Sequence, residues 1–181
     1  CTYPVANNYN PLATIDDGSC VNPCSWNQLG NDIDGESAYD NSGSSVSLSS
    51  DGMTVAIGAR YNDGNGSNSG HVRIYSWDGS SWNQQGNDID GEAAFDLCGG
   101  SVSLSSDGNI IAIGAPFNDG TIPNSDVGHT RVYEFNNSTN QWDQYGSDID
   151  GEGGSDFSGS SVSLSSDGMT VAIGAYQNYG N

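Results

Sequence analysis

The sequence predicts an all-β protein built from repeated four-stranded antiparallel units, and two observations support this prediction. One pattern occurs three times, and its copies start 56 and 60 residues apart (46–59, 102–115 and 162–175). Within each copy, apolar residues alternate with small or polar residues, which is the period of a half-buried strand. No stretch has the 3.6-residue apolar period of a helix, so a β-repeat architecture is expected.

Each copy predicts a first and a second strand joined by a hairpin. In the first copy, Val46 and Leu48 mark the first strand, and Val55 and Ile57 mark the second. The segment at 50–52 reads Ser-Asp-Gly. This segment suits a tight turn because Asp-Gly tolerates the positive φ that such a turn requires.

The third and fourth strands are predicted from the segment that follows each hairpin. Val72 and Ile74 alternate with polar residues in the third strand, and the fourth strand begins at Trp82 after a turn at 78–81. Because four antiparallel strands recur at a nearly fixed period, each copy has the form of a β-propeller blade.

The chain is predicted to have two parts, an N-terminal Cys-bounded module (1–24) and a region of β-repeats (25–181). The repeats form about three copies, the last of them incomplete (25–81, 82–141 and 142–181). A further strand of the fourth type is expected near Trp26 to Ile33. Propellers need roughly four to eight blades, so these copies do not close a usual ring. We therefore expect either further chain after Asn181 or neighbouring subunits to pair with the open sheet edges.

The charge of the chain excludes several classes of partner. Acidic residues outnumber basic residues 23 to 3, which gives a formal net charge of −20 at pH 7. A field of this sign repels phosphate backbones and anionic lipid, so neither nucleic-acid binding nor binding to a membrane surface is expected. The sequence has no apolar run long enough to span a bilayer, so membrane insertion is not expected either.

Two short motifs recur at fixed places in the copies. A small residue followed by Gly precedes the first strand (Ser42-Gly43, Cys98-Gly99 and Ser158-Gly159), and Gly-Ala ends the second strand (58–59, 114–115 and 174–175). In these positions the chain resembles FG-GAP repeats, which form the blades of the integrin α-subunit propeller and of many secreted microbial proteins. The resemblance spans roughly residues 25–181. It implies a propeller-like fold and an extracellular role without catalysis.

FG-GAP blades usually carry an Asp-rich calcium loop between their first two strands, and this chain departs from that pattern. Its loop has one carboxylate per copy (Asp51, Asp107 and Asp167), whereas Ca²⁺ takes about six to eight oxygen ligands. Each copy instead has an Asp-Ile-Asp-Gly-Glu turn, whose alternating acids resemble half of a calcium loop. We expect calcium, the one candidate cofactor, at these acids (Asp32, Asp34, Glu36, Asp88, Asp90, Glu92, Asp148, Asp150 and Glu152). A solvated acidic turn is the alternative interpretation.

The N-terminal 24 residues have no counterpart in the repeats. They resemble a small Cys-bounded module, ending Asp-Asp-Gly-Ser-Cys, that occurs in secreted multidomain proteins of aquatic microbes. The resemblance implies a second calcium candidate, in which Asp16 and Asp17 join Asn8 and Asn10 in the manner of a thrombospondin type-3 loop.

The four cysteines (Cys1, Cys20, Cys24 and Cys98) are disulfide candidates, and they allow three pairings. One pairing joins Cys1 to Cys20 and Cys24 to Cys98. A second joins Cys1 to Cys24 and Cys20 to Cys98, and a free buried thiol at Cys98 is the alternative to either bridge. We expect at least one disulfide within the module, because it has too few apolar residues to stay ordered without a covalent link.

The sequence offers no residue set that favours an enzyme. His71 and His129 recur at equivalent positions, each followed two residues later by Arg. Residues that repeat in every blade are expected to have a structural role, for example a hydrogen bond to a neighbouring loop. No catalytic triad or phosphate-binding loop stands out from the repeats.

The leading hypothesis is an extracellular or cell-surface structural or adhesion protein that self-associates head to tail through its sheet edges into a fibre or array. The alternative is a fragment of a larger secreted propeller that binds a protein or a glycan. Three N-x-S/T sequons agree with a location outside the cell and are candidate glycosylation sites (Asn65, Asn136 and Asn137).

Overall fold

The computed structural model describes residues 10, 12, 26–120 and 125–180. The chain divides into two units, Cys1–Asn31 and Asp32–Asn181, so the division falls a few residues after the boundary predicted at 24. The predictions at Asn8, Asp16, Asp17, Cys1, Cys20 and Cys24 lie outside the described residues. The described residues form strands and turns without a helix, and thus none of their segments is a helix that could cross a bilayer.

The larger unit contains three consecutive antiparallel sheets, here called blades 1, 2 and 3. Blade 1 consists of β1 (Ser42–Leu48), β2 (Thr54–Ala59), β3 (His71–Trp77), β4 (Trp82–Gln84) and β5 (Ile89–Asp90). Blade 2 consists of β6 (Ser101–Leu104), β7 (Ile110–Ala115), β8 (His129–Asn136), β9 (Gln141–Gln144) and β10 (Ile149–Asp150). Blade 3 consists of β11 (Ser158–Leu164) and β12 (Val171–Ala175). Consecutive strands pair in order, as predicted.

The fourth strand of each complete blade is broken into two short pieces. In blade 1, β4 and β5 both pair with β3, β4 at residues 75–77 and β5 at residues 71–72. Between the two pieces, Gly86 has a φ of 76°, which takes the chain out of the extended conformation that pairing requires. Gly146 has a φ of 87° at the equivalent place in blade 2. The sequence predicted one continuous fourth strand, so this break is a correction.

The strand predicted near Trp26 to Ile33 is absent, since residues 26–41 contain no strand. A strand of the fourth type needs a strand of the third type beside it. Among the described residues, the only strands of this type are β3 and β8, and each already has partners on both edges. The segment at 26–33 therefore has no free edge of a third-type strand with which to pair.

Burial increases towards the middle of the stack. All six residues of β7 are buried, whereas β1 of blade 1 has no buried residue. The half-buried alternation predicted for these strands therefore does not describe β7. The reason is that blade 2 lies between blades 1 and 3 and packs on both of its faces.

Cys98 is a free, buried thiol. Its side chain belongs to the hydrophobic core, and its backbone amide donates a hydrogen bond to the Ser69 carbonyl at 2.9 Å. Both pairings predicted for this cysteine, with Cys24 or with Cys20, are therefore corrected to the free thiol that was the alternative. Burial raises the pKa of the thiol to about 11.

We expect Cys98 to resist alkylation in the folded chain. A pKa of about 11 in place of 9 lowers the reactive thiolate fraction about 100-fold near neutral pH, and burial adds a steric barrier. Iodoacetamide labelling with and without guanidinium, followed by mass spectrometry of the Cys98 peptide, measures this directly. Labelling at similar rates in both conditions would contradict the buried placement.

Candidate functional site

The surface between consecutive blades is built from the two faces of the first strand. Side chains at alternating positions point to opposite sides of a strand. Ser45 and Ser47 therefore lie on one face of β1, here called the serine face, and Val46 and Leu48 lie on the other, here called the apolar face. Ala56 pairs with Ser47 and shares the serine face. The corresponding residues define the same two faces of blades 2 and 3.

The serine face of blade 1 packs against the apolar face of blade 2. The Ser45 hydroxyl donates a hydrogen bond to the Gly99 carbonyl at 2.7 Å. In the opposite direction, the Leu104 amide donates to the Ser47 hydroxyl at 2.9 Å. The contact therefore uses donors from both blades.

The interface between blades 2 and 3 repeats this arrangement. The Ser101 hydroxyl donates to the Gly159 carbonyl at 2.7 Å, and the Leu164 amide donates to the Ser103 hydroxyl at 2.9 Å. Because the distances match those of the first interface, the two interfaces are copies of one contact.

Two glycines of the recurring motifs meet at each interface. A Cβ atom on Gly58 would overlap the Gly99 carbonyl, and a Cβ atom on Gly114 would overlap the Gly159 carbonyl. The Gly-Ala motif at the end of one second strand therefore packs against the glycine that precedes the first strand of the next blade. Only glycine permits this approach.

The two outer faces of the stack are unpaired halves of the same contact. On the apolar face of blade 1, Val46 is 64% exposed and Leu48 is 59% exposed. Their counterparts in blade 2, Val102 and Leu104, are only 8% and 7% exposed. On the serine face of blade 3, Ser161, Ser163 and Ala172 are exposed, whereas the equivalent serines of blades 1 and 2 are half-buried and the equivalent alanines are buried.

Each complete blade also holds a cluster of one histidine and two carboxylates. In blade 1, His71 Nδ1 lies 3.8 Å from Glu36 Oε2 and 3.7 Å from Asp88 Oδ2. Glu36 precedes β1, His71 begins β3, and Asp88 precedes β5. The cluster therefore connects three separate segments of one blade.

Blade 2 repeats the cluster with similar distances. His129 Nδ1 lies 3.9 Å from Glu92 Oε2 and 3.8 Å from Asp148 Oδ2. Burial lowers the pKa of His129, and the positive charge of Arg131 lowers it further, against the opposing effect of the carboxylates. Sequence reasoning named the four acids as metal candidates but not the histidines. The recurring Gly-His-x-Arg segment was the signal that pointed to them.

The three acids of one Asp-Ile-Asp-Gly-Glu turn do not share a site among the described residues. The two clusters instead combine the Glu of one turn with the first Asp of the next turn along the chain. The middle acids Asp34 and Asp90 use their backbone carbonyls, which accept hydrogen bonds from Arg73 at 2.8 Å and Arg131 at 3.0 Å. Glu152 accepts a hydrogen bond from the Asn178 amide at 3.4 Å.

The hairpin acids do not fit the calcium loop that FG-GAP blades usually carry. Asp51 Oδ1 accepts hydrogen bonds from the Ser49 hydroxyl at 2.7 Å and from the Met53 amide at 2.9 Å. These hydrogen bonds lower the pKa of Asp51, and the same turn recurs at Asp107 and Asp167. One carboxylate that holds its own turn supplies too few oxygens for Ca²⁺.

The three sequons occupy different environments. The Asn65 side-chain amide, which is the atom that a glycan would modify, donates to the Gly91 carbonyl at 2.8 Å. The Asn136 amide donates to Asp143 at 2.8 Å. Asn137 is exposed on the turn between β8 and β9.

Consecutive antiparallel blades that pack face to face define a propeller-type repeat domain. The FG-GAP repeat family model matches residues 33–75, a segment that covers β1, β2 and most of β3. Blade 1 is therefore similar to an FG-GAP repeat, and blades 2 and 3 repeat its sequence pattern. Among curated proteins, none matches the chain.

Proposed function

We propose that this chain is a non-enzymatic structural or adhesion module, outside the cell or at its surface, that associates head to tail through its outer blade faces. The observation that carries the proposal is the repeated interface. The apolar face of blade 1 and the serine face of blade 3 are the two halves of a contact that the chain forms twice internally. The partner is a second copy of the chain.

The internal interfaces favour face packing over the edge pairing that the sequence suggested. Blade-to-blade contact uses serine hydroxyls and close glycine approach. In the part of the chain that the structure describes, strand-like pairing between consecutive blades is limited to isolated bridges, Gly70 with Cys98 and Gly128 with Ser158. A head-to-tail contact between different faces is heterologous, so it produces a ring if the rotation closes and a filament if it does not.

Charge opposes this association. Each copy carries a formal net charge of −20, and repulsion between exposed charges is screened beyond about 8–10 Å at physiological ionic strength. We therefore expect assembly to strengthen with salt or divalent cations and to weaken when calcium is chelated at low salt.

Leu48→Asp is expected to abolish assembly. Leu48 is 59% exposed, so the substitution leaves the folded chain intact but places a charge in the middle of the proposed contact. Sedimentation velocity over a range of concentration and salt, followed by electron microscopy, measures size and distinguishes rings from filaments. Thr139→Asp adds the same charge on the exposed β8–β9 turn and should assemble like the wild type.

Two outcomes would reject the proposal. One is a wild-type chain that stays a folded monomer at every concentration and salt, with or without calcium. The other is an assembly that Leu48→Asp leaves unchanged.

A second candidate function is the binding of a glycan or protein ligand, and a cleft of about 550 Å³ favours it. Phe95 and Phe117 line this cleft together with Asp96 and Asp119. Aromatic faces beside carboxylates suit a sugar, which stacks on the ring and donates hydroxyl protons to the acids. Glycan binding that Phe117→Ser abolishes, in a chain that does not assemble, would favour this function instead.

A further inference from the structure

The histidine–carboxylate clusters have the geometry of a metal site rather than of a hydrogen-bonded triad. In both clusters the Nδ1 atom lies 3.7–3.9 Å from two carboxylate oxygens, which is beyond hydrogen-bond distance. Zinc binds nitrogen and oxygen at about 2.0–2.2 Å, so tetrahedral ligand atoms stand roughly 3.4 Å apart. A small inward movement of the two partly exposed carboxylates would place all three atoms on one ion.

The imidazole is the buried member of each cluster. The side chains of His71 and His129 are each 2% exposed, and Nδ1 of each is directed at the two carboxylates. The carboxylates are partly exposed, at 29–46%, so they can move towards the buried nitrogen.

Other side chains hold the carboxylates in position for a ligand. In blade 1, Gln84 donates to Asp88 Oδ1 at 2.6 Å, while Oδ2 of the same carboxylate is directed at the histidine. In blade 2, Gln144 donates to Asp148 Oδ1 at 2.7 Å. Hydrogen bonds to the second oxygen of a carboxylate orient metal ligands in this way.

The glutamates are held by an arginine and an asparagine. Arg131 Nη1 lies 3.3 Å from Glu92 Oε1, and Arg73 Nη1 lies 3.8 Å from Glu36 Oε1. The Asn62 amide also reaches Glu36 Oε2 at 3.3 Å. That oxygen keeps a second lone pair for the site.

We propose that each complete blade binds one Zn²⁺ ion through Nδ1 of its histidine and one oxygen of each carboxylate (Glu36, His71 and Asp88; Glu92, His129 and Asp148). An imidazole nitrogen with two carboxylates suits zinc, whereas Ca²⁺ takes about six to eight oxygens. Water completes the tetrahedron on the exposed side. Blade 3 has no histidine among its described residues, so the chain binds two ions.

Each ion would link three separate segments of its blade. The ligands join the segment that enters the blade, the third strand and the broken fourth strand. Because a ligand that binds only the folded state stabilises it, zinc is expected to raise the melting temperature.

The test is nitrogen NMR of the imidazole rings in the full chain, stripped of metal and titrated with ZnCl₂. The sequence contains only two histidines, so both sites are observed without substitution. We expect the Nδ1 signals of both rings to shift and to saturate at two equivalents of zinc, while CaCl₂ leaves them unchanged. Unshifted Nδ1 signals, or shifts confined to Nε2, would overturn the proposal.

A matched pair of double variants distinguishes zinc binding at these clusters from the general attraction of zinc to an acidic protein. Asp88→Asn with Asp148→Asn removes one ligand from each site, and zinc affinity should fall tenfold or more. Asp34→Asn with Asp150→Asn makes the same charge change at the middle Asp of the first and third turns and should bind like the wild type. Equal losses in both double variants would show diffuse counterion binding and reject the assignment.

Discussion

Gly114→Ala is expected to lower the free energy of unfolding by about 3 kcal/mol, because the new methyl group would overlap the Gly159 carbonyl of the next blade. The Gly159 carbonyl cannot easily move away, because its backbone is fixed by the surrounding strands. For a chain of this size the change corresponds to a fall in melting temperature of roughly 10 °C. Thermal and urea unfolding measure it.

Gly174→Ala is the matched control, since Gly174 occupies the same place in blade 3. There the one close contact of the new Cβ atom is with the Ser161 hydroxyl, which can rotate away, so the loss should be below about 1 kcal/mol. Gly153→Ala has ordinary contacts and should be neutral. Equal losses for Gly114→Ala and Gly174→Ala in monomeric protein would contradict the interface described here.

Trp142→Ala is expected to cost about 3–5 kcal/mol, the usual loss for a large aromatic side chain in a core. Trp142 is 8% exposed and packs on Phe135 with ring centroids 5.2 Å apart. Its indole N–H also donates to the Gln85 carbonyl of blade 1 at 2.9 Å. The substitution therefore removes packing within blade 2 and a hydrogen bond between blades.

Two comparisons divide this loss into its parts. Trp142→Phe keeps most of the apolar contact and removes the N–H, so it should cost about 1–2 kcal/mol. Trp26, at the equivalent sequence position of the first copy, is 99% exposed, so Trp26→Ala should leave stability unchanged. A large loss for Trp26→Ala would show that sequence position, rather than burial, decides the effect.

The sequence predicted the strand order and the hairpins because these depend on local features. Alternation at Val46 and Leu48 and the Asp-Gly turn at 51–52 suffice for β1 and β2. The sequence did not predict the break in the fourth strand. Gly86 occurs in a chain with 26 glycines, and only the structure shows which of them interrupt pairing.

The histidine–carboxylate clusters were beyond sequence reasoning for a different reason. Glu36, His71 and Asp88 are far apart in the sequence, and their proximity depends on contacts between the segment before β1 and the third strand, such as the hydrogen bond from Arg73 to the Asp34 carbonyl. Reasoning within one Asp-Ile-Asp-Gly-Glu turn therefore grouped acids that the fold separates. Cys98 was misjudged similarly, since its burial follows from the approach of blade 1 and not from its own neighbours in the sequence.

The broken fourth strand has a consequence for solubility. The edge of a complete blade that is formed by the broken fourth strand offers only short runs of extended backbone, the longest being the four residues of β9. Amyloid-type stacking needs segments of about six residues that pair without interruption. The break therefore denies foreign strands a template along this edge, much as bulges do on the edges of other sheets.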